Sequence, residues 1–351
     1  MTYQAGWQPQ RTWVFVVGTL EWKHKAMWDS FPKRQRRDQL LVEFFQEQQV
    51  PAEQIVYLQD RAATTEQIQT RLAAHLAASA PGDLLVLYYC GHGDKDDGGA
   101  AHFASYDAGD KGNPGWAVES IPAAIERHFA GSRALLLADC CYSGCLGEAV
   151  ARAGRRIAYA CLTSSLASEL STGNWTFTEG LLAGLHGQCF TDGDGDRQIT
   201  LGELAGQLIE SMAFAEEQVA TFTLSGGFDP GLVVAPARPR SHPRVGQRVE
   251  VQAEGGWYPA QIIEADGEQL KVHYYGYNAS DDEWVGERRI RAASRPTYAV
   301  GTAVEVKWKR SWYPATVREV RNGVHYIQYD DFAEDWNEWV ALKRIRVASS
   351  Q

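Results

Sequence analysis

The chain has 351 residues, enough for two or three domains each with its own core. Hydrophobic residues make up 44% and charged residues 22%, a balance that excludes a disordered or low-complexity chain. The formal charge of −10 is unevenly shared: residues 1–235 carry 17 Lys/Arg and 28 Asp/Glu, a net of −11, while residues 236–351 carry 17 and 16, a net of +1. An acidic first part repels nucleic acid phosphates and favours basic peptides, or serves solubility alone. No apolar run reaches the length of a membrane span, and no basic stretch leads into an apolar one at the start. The cysteines at 90, 140, 141, 145, 161 and 189 form no regular framework, so reduced thiols and a cytoplasmic location are expected. The acidic charge and the lack of a span lead to the expectation of neither nucleic acid nor membrane partners.

In chain order, residues 12–17 read as a strand, and 38–48 as a helix with Leu40, Leu41, Phe44 and Phe45 at helical spacing. A short strand at 55–58 and a helix at 65–78, with Ile68, Leu72 and Leu76 on one face, come next. Apolar strands at 84–90 and 134–141 flank a predicted helix at 121–129, followed by a strand at 157–162 and a helix at 177–185. This alternation predicts an α/β domain over 1–235, a mainly parallel sheet sandwiched by helices. Proline recurs at 236, 239 and 243, which marks 236–243 as a linker.

An internal repeat follows. Trp257-Tyr258-Pro259-Ala260 recurs as Trp312-Tyr313-Pro314-Ala315, Glu283-Trp284-Val285 as Glu338-Trp339-Val340, and Arg289-Ile290-Arg291 as Arg344-Ile345-Arg346. Every offset is 55, so this is a duplicated module, predicted as two small SH3-like β-barrels at 244–295 and 296–351.

The chemistry concentrates at two strand ends. One apolar strand runs into Cys90-Gly91-His92-Gly93, and another, 49 residues later, into Asp139-Cys140-Cys141-Tyr142-Ser143-Gly144. A thiol and an imidazole at the carboxyl edge of a parallel sheet supply a nucleophile and its base. Strand alternation puts Asp139 and Cys141 on one side and Cys140 on the other, so Cys141 is the expected nucleophile and His92 its proton carrier. The backbone N–H groups of Gly93 and Cys141 are candidates for holding an oxyanion.

This order resembles the caspase-like cysteine peptidases, and the Asp-Cys-Cys-Tyr-Ser-Gly form is nearer to metacaspases and bacterial relatives than to animal caspases. The resemblance covers about residues 10–235. It implies a caspase-like fold, a His92–Cys141 dyad, no required cofactor, and a first pocket in which Asp139 pairs with Arg, and secondarily Lys, of a protein substrate. Cys90 belongs to the same substrate side. Glu21 or Asp29, after the first strand, is a candidate second acid. Tyr142 replaces the histidine usual after the nucleophile. A zymogen matured by a cut at Arg152, Arg155 or Arg156 is a further expectation, with an activating protease or regulator as partner.

Asp192, Asp194, Asp196 and Glu203 occupy positions 1, 3, 5 and 12 of a calcium-type loop, although Arg197 stands where glycine is usual. The alternative is a polar turn in which Thr200 and Glu203 form a capping box. A metacaspase-like calcium cluster would draw on Asp107, Glu119 and Glu148, with Ser120 where an aspartate is expected. The repeat resembles Tudor-like, Tudor-knot or chromo-barrel modules. Trp257, Tyr258, Tyr274, Trp312, Tyr313 and Tyr329 are expected to dock peptide or protein by cation–π attraction, with Phe332 and Trp336 as further aromatics; Trp284 and Trp339 are expected in the barrel cores. Two functions therefore stand open: a peptidase cleaving after basic residues, and a catalytically silent scaffold that binds through its barrels.

Overall fold

A computed structural model describes residues 6–33, 36–154, 156–293, 297–308, 311–321 and 323–348. Strand β1 (Thr12–Gly18) leads through α1 (Arg37–Glu47) to β2 (Ile55–Gln59), and α2 (Thr65–Ala77) leads to β3 (Leu84–Cys90). A small three-stranded sheet of β4 (Gly93–Lys95), β5 (Ala101–Phe103) and β6 (Trp116–Ala117) precedes α3 (Ser120–His128) and β7 (Arg133–Asp139). Then come α4 (Gly144–Arg152), β8 (Ala158–Thr163), α5 (Thr176–Leu185), β9 (Gln198–Thr200), α6 (Leu201–Ser211), β10 (Thr221–Ser225) and β11 (Val233–Pro236).

The main sheet has the order β10-β8-β7-β3-β1-β2. Its central pairs run parallel, and β10 joins antiparallel at one edge. Strands such as Thr12–Gly18 and Leu84–Cys90 are buried at every residue, because helices cover both faces. One face packs Leu41, Phe44, Phe177, Leu181 and Leu204 from α1, α5 and α6; the other packs Ile68, Leu72, Ile121, Ile125 and Val150 from α2, α3 and α4.

Helix α4 occupies a segment after Cys141 to which the sequence pattern assigned no element. Its glycines hid it, and tertiary contact explains one of them: a Cβ on Gly147 would come within 2.7 Å of the Thr223 hydroxyl on β10. Strand β11 pairs with β9 as far as Pro236, and Ala237 and Arg238 bond to Arg197 and Gly187, so the start of the expected linker is held against the first domain.

The repeat folds as two five-stranded antiparallel barrels. The first comprises β12 (Arg248–Ala253), β13 (Gly256–Asp266), β14 (Gln269–Tyr274), β15 (Glu283–Gly286) and β16 (Ile290–Ala292). The second comprises β17 (Ala303–Trp308), β18 (Ser311–Arg321), β19 (Val324–Tyr329), β20 (Glu338–Val340) and β21 (Ile345–Val347). The 55-residue offset carries into register: Val249 pairs with Ala260 as Val304 pairs with Ala315. The expectation that Trp284 and Trp339 are core is corrected. Val285 and Val340 point inward, so alternation sends each preceding tryptophan outward. Trp284 is exposed, and Trp339 packs on the first domain beside Ala213 and Val219.

Both barrels sit on the first domain. Arg248 bonds Glu210 (2.5 Å) and Gln207 (2.8 Å) of α6, the Tyr275 ring lies edge-on to Phe214, and Arg344 of the second barrel bonds Glu169 at 3.0 Å. Among the described residues no helix is long and apolar enough to cross a membrane.

Candidate active site

Parallel pairing sets Cys90 beside Asp139 at the ends of β3 and β7, and both chains then turn sharply. Tyr142 adopts a left-handed φ of 56°, which swings Cys141 off the strand end just before α4. Gly93 lies so close to the Cys141 carbonyl that a methyl group there would overlap it. These turns bring Cys141, His92, Asp139 and Cys90 onto one cavity of about 460 Å³, closed on another side by Ser171, Asn174 and Trp175.

His92 is held by its surroundings. Its ring lies 4.6 Å from Trp22, 4.6 Å from Phe31 and 5.5 Å from Trp28. Its Nε2 is 2.8 Å from the Asp29 carbonyl oxygen, which can only accept, so Nε2 carries the proton and Nδ1 is left as the basic nitrogen. Asp29 thus meets His92 through its backbone carbonyl, and it is not among the residues lining the cavity.

The Cys141 sulfur accepts from the Ser171 N–H at 3.2 Å, and its S–H faces the Ser171 carbonyl at 3.7 Å. Burial pushes this thiol up, and backbone N–H groups of Ser171, Cys141 and Gly93 pull against it. The resting group is therefore a thiol engaged with the 171 loop. Cys140 is buried among the α4 side of the core, as alternation required.

Asp139 is 8% exposed and accepts from the Thr178 hydroxyl at 2.6 Å. Burial pushes its carboxyl up to about 6, against hydrogen bonds from Thr178 and Ser164. Burial also keeps the Cys90 thiol neutral, with the Asp38 and Asp139 carboxylates adding to the effect. Glu21 does not line the cavity: it turns to Lys33 at 2.6 Å and faces Arg61 at 3.7 Å. The polar loop after β1 therefore contributes aromatic packing and one carbonyl. Sequence reading missed Trp22, Trp28 and Phe31; the density of aromatics just past β1 was the available signal.

Arg152 ends α4 and pairs with Glu119 and Glu148; Arg156 donates to the Phe129, Ile125 and Glu126 carbonyls; Arg155 lies outside the described residues. A cut at Arg152 needs the helix end to unwind. The carboxylates of Asp192, Asp194 and Asp196 converge within 4.8 Å of one another, a set that suits a divalent cation. Glu203 is turned to the capping box instead, accepting from Thr200 at 2.8 Å and from Gly193 at 2.9 Å, and Arg197 supplies the left-handed turn at φ 71°. Asp107 is spent on Thr65, and Glu119 and Glu148 on Arg152, so these three form no common cluster.

The repeated aromatics divide into two sets. Trp257 and Trp312 are stacked by Arg291 and Arg346, each with the guanidinium 4.2 Å from the ring centroid. Tyr258 and Tyr274 join Tyr277, which identity-based repeat matching passed over because its counterpart is Phe332. The three rings have centroids 6.1–6.4 Å apart at steep mutual angles and line a cavity of about 390 Å³ with Glu254, Asp281 and Glu283. In the second barrel Tyr313, Tyr329, Phe332 and Trp336 make the corresponding cluster.

The sequence pattern of the Agenet domain matches residues 246–296 and 301–349, the two barrels. The C-terminal unit is a tandem repeat of Agenet/Tudor-like barrels. Among solved structures, ADCP1 tandem Agenet domain 3-4 is similar at 22% identity over 29% of this chain and 78% of that one, with a TM-score of 0.14. The Arabidopsis thaliana AGDP1 AGD34 structure is similar at 19% identity over 29% and 80%, with a TM-score of 0.14. Protein GSU0716 from Geobacter sulfurreducens is similar at 16% identity, covering 65% of this chain and all of that one, with a TM-score of 0.49. No curated protein matches the chain.

Proposed function

We propose that the first domain is a cysteine endopeptidase of the caspase and metacaspase type, cleaving after Arg and secondarily Lys, with the Agenet barrels recruiting substrate or a partner. The observation that carries this reading is the shared cavity of Cys141, His92 and Asp139 at the carboxyl ends of parallel strands. In the proposed reaction Nδ1 of His92 takes the thiol proton as the sulfur attacks the scissile carbonyl. The Gly93 and Cys141 N–H groups hold the oxyanion, and the imidazolium then protonates the leaving amine. Water, deprotonated by His92, hydrolyses the thioester and releases Cys141. Asp139, ionised at neutral pH, accepts a guanidinium bidentately. The Ser171 peptide must turn away before substrate enters, which fits a chain made in a resting state.

A second reading has its own support: the Agenet repeat, its tyrosine cage, and a thiol bonded to Ser171 while His92 bonds to Asp29 fit a silent scaffold that binds peptides through its barrels. Calcium at Asp192, Asp194 and Asp196 belongs to either reading. Purified chain and Cys141→Ala, each incubated with Arg-, Lys- and Asp-ending reporter peptides with and without calcium, separate them. Arg turnover lost in the variant supports the peptidase; no turnover under any condition leaves the scaffold.

A further inference from the structure

The turn between β14 and β15 presents its residues to two different cavities. Gly276 and Asn278 line the cavity of Cys141, His92 and Asp139. Tyr277, between them, lines the tyrosine cage. Gly276 has φ +78, and a Cβ there would come within 3.1 Å of the Asn174 side chain, so glycine lets the barrel close on the loop beside Cys141.

The duplicated module supplies an internal comparison. At the 55-residue offset the second barrel carries Asp331, Phe332 and Ala333. Asp331 keeps the left-handed backbone, φ 64°, but bears a side chain, and all three residues are exposed. The central aromatic is present in both copies. The two flanking residues, which face the Cys141 cavity in the first copy, differ in the second, whose turn faces solvent. The turn of the first barrel is thus fitted to the cavity, and the matching turn of the second barrel stands clear of it.

We propose that the first barrel completes the Cys141 cavity, and that cavity and cage read one polypeptide carrying two cationic side chains a few residues apart. One cation sits at Asp139 and the other among Tyr258, Tyr274 and Tyr277. This deepens the peptide-site reading above and rests on it. Gly276, Tyr277 and Asn278 are consecutive, so the two cavities lie on either side of one turn, and an extended ligand, advancing about 3.3 Å per residue, can run from one to the other. The rings attract a Lys, methylated Lys or Arg through their faces, and Glu254 and Asp281 add negative charge at the rim, Glu283 being neutralised by Arg289 at 2.6 Å. Joining the two contacts in one ligand makes the second binding event intramolecular.

The test uses the full chain with Cys141→Ala, so that peptides stay intact. Fluorescein-labelled peptides carry one Arg and, about three to six residues away, trimethyl-lysine, Lys or Ala; affinity is read by anisotropy. The two-cation peptides are expected to bind at least about tenfold tighter than the Arg/Ala peptide, with an optimum spacing. Tyr277→Ala, at a side chain 46% exposed, or Gly276→Asp, the residue of the second copy, brings that ratio to about 1. Equal affinity for one- and two-cation peptides at every spacing overturns the proposal. Failure of the unaltered chain to cleave Arg peptides removes the peptidase reading alone, because the binding ratio needs no turnover.

Discussion

Arg344 of the second barrel donates to Glu169, 175 residues upstream, at 3.0 Å, and the Glu169 carbonyl accepts the N–H of Tyr142, the residue after Cys141, at 2.8 Å. Two residues further along that loop, Ser171 holds the Cys141 sulfur. The barrel and the thiol are therefore joined through one short segment. Arg344 also pairs with Glu338 at 2.5 Å, and the side chains of Arg344 and Glu169 are only 11% and 14% exposed.

Removing one partner from a buried ion pair leaves the other charge without compensation, at about 3 kcal/mol. Arg344→Gln is expected to bring forward the first urea transition by roughly that amount and to raise the alkylation rate of Cys141, followed by peptide mass. A shift below about 0.5 kcal/mol with an unchanged rate contradicts the coupling.

Asp139 gives a pH signature. Its carboxyl, pushed up to about 6 by burial, is ionised above that value. Under the proposed function, affinity for an Arg peptide is expected to be full above pH 7 and to fall as pH drops through 6. For folding the sign reverses: the native state binds this proton more tightly than the unfolded chain, so the group adds stability as pH falls from 6 towards 4. Asp139→Asn should erase the pH step in peptide binding, lower Arg affinity about 100-fold, and leave thermal stability at pH 7 equal or higher. An unaltered pH profile for the variant counts against this assignment.

Gly93 has no room for a side chain. Gly93→Ala drives a methyl group into the Cys141 carbonyl, so the turn must shift and its N–H with it. Turnover of Arg reporters is expected to fall about 100-fold or more. Gly98→Ala, in the neighbouring loop, serves as control and should match the unaltered chain. Similar rates for both variants exclude Gly93 as an oxyanion donor.

His273 ties the first barrel to α5. Burial lowers its proton affinity, but Glu179 at 3.4 Å and Asp282 at 2.7 Å outweigh burial and raise it overall; Arg37 shares Glu179. A raised histidine stabilises docking fully below the ordinary imidazole range near about 6.5 and loses that contribution as pH climbs through its folded value. Limited proteolysis of the 239–247 stretch should be faster at pH 8.5 than at pH 6. In His273→Gln that difference should vanish; if it persists, another group sets it.

Much of the architecture was legible in residue order, because it rests on local periodicity. Fully apolar strands such as Leu84–Cys90 announce burial on both faces, and the helical spacing of Ile68, Leu72 and Leu76 places one helix against them. The 55-residue repeat predicts two barrels without any coordinates. Cys141 and His92 stand at strand ends that parallel pairing had to bring to one edge. Local pattern was weaker where partners compete: both Trp284 and Val285 are apolar, and only the barrel's closure decides which faces in.

Residue order alone therefore determined the element types, the duplication and the placing of a cysteine and a histidine at one sheet edge, since each follows from spacing along a single segment. The tertiary structure alone decided that Asp29 serves through its carbonyl, that Ser171 holds the thiol, that Glu203 caps a helix, and that Gly276 and Asn278 of a barrel wall the first domain's cavity. These contacts join segments up to more than a hundred residues apart. They depend on how finished surfaces meet, and no local period encodes that.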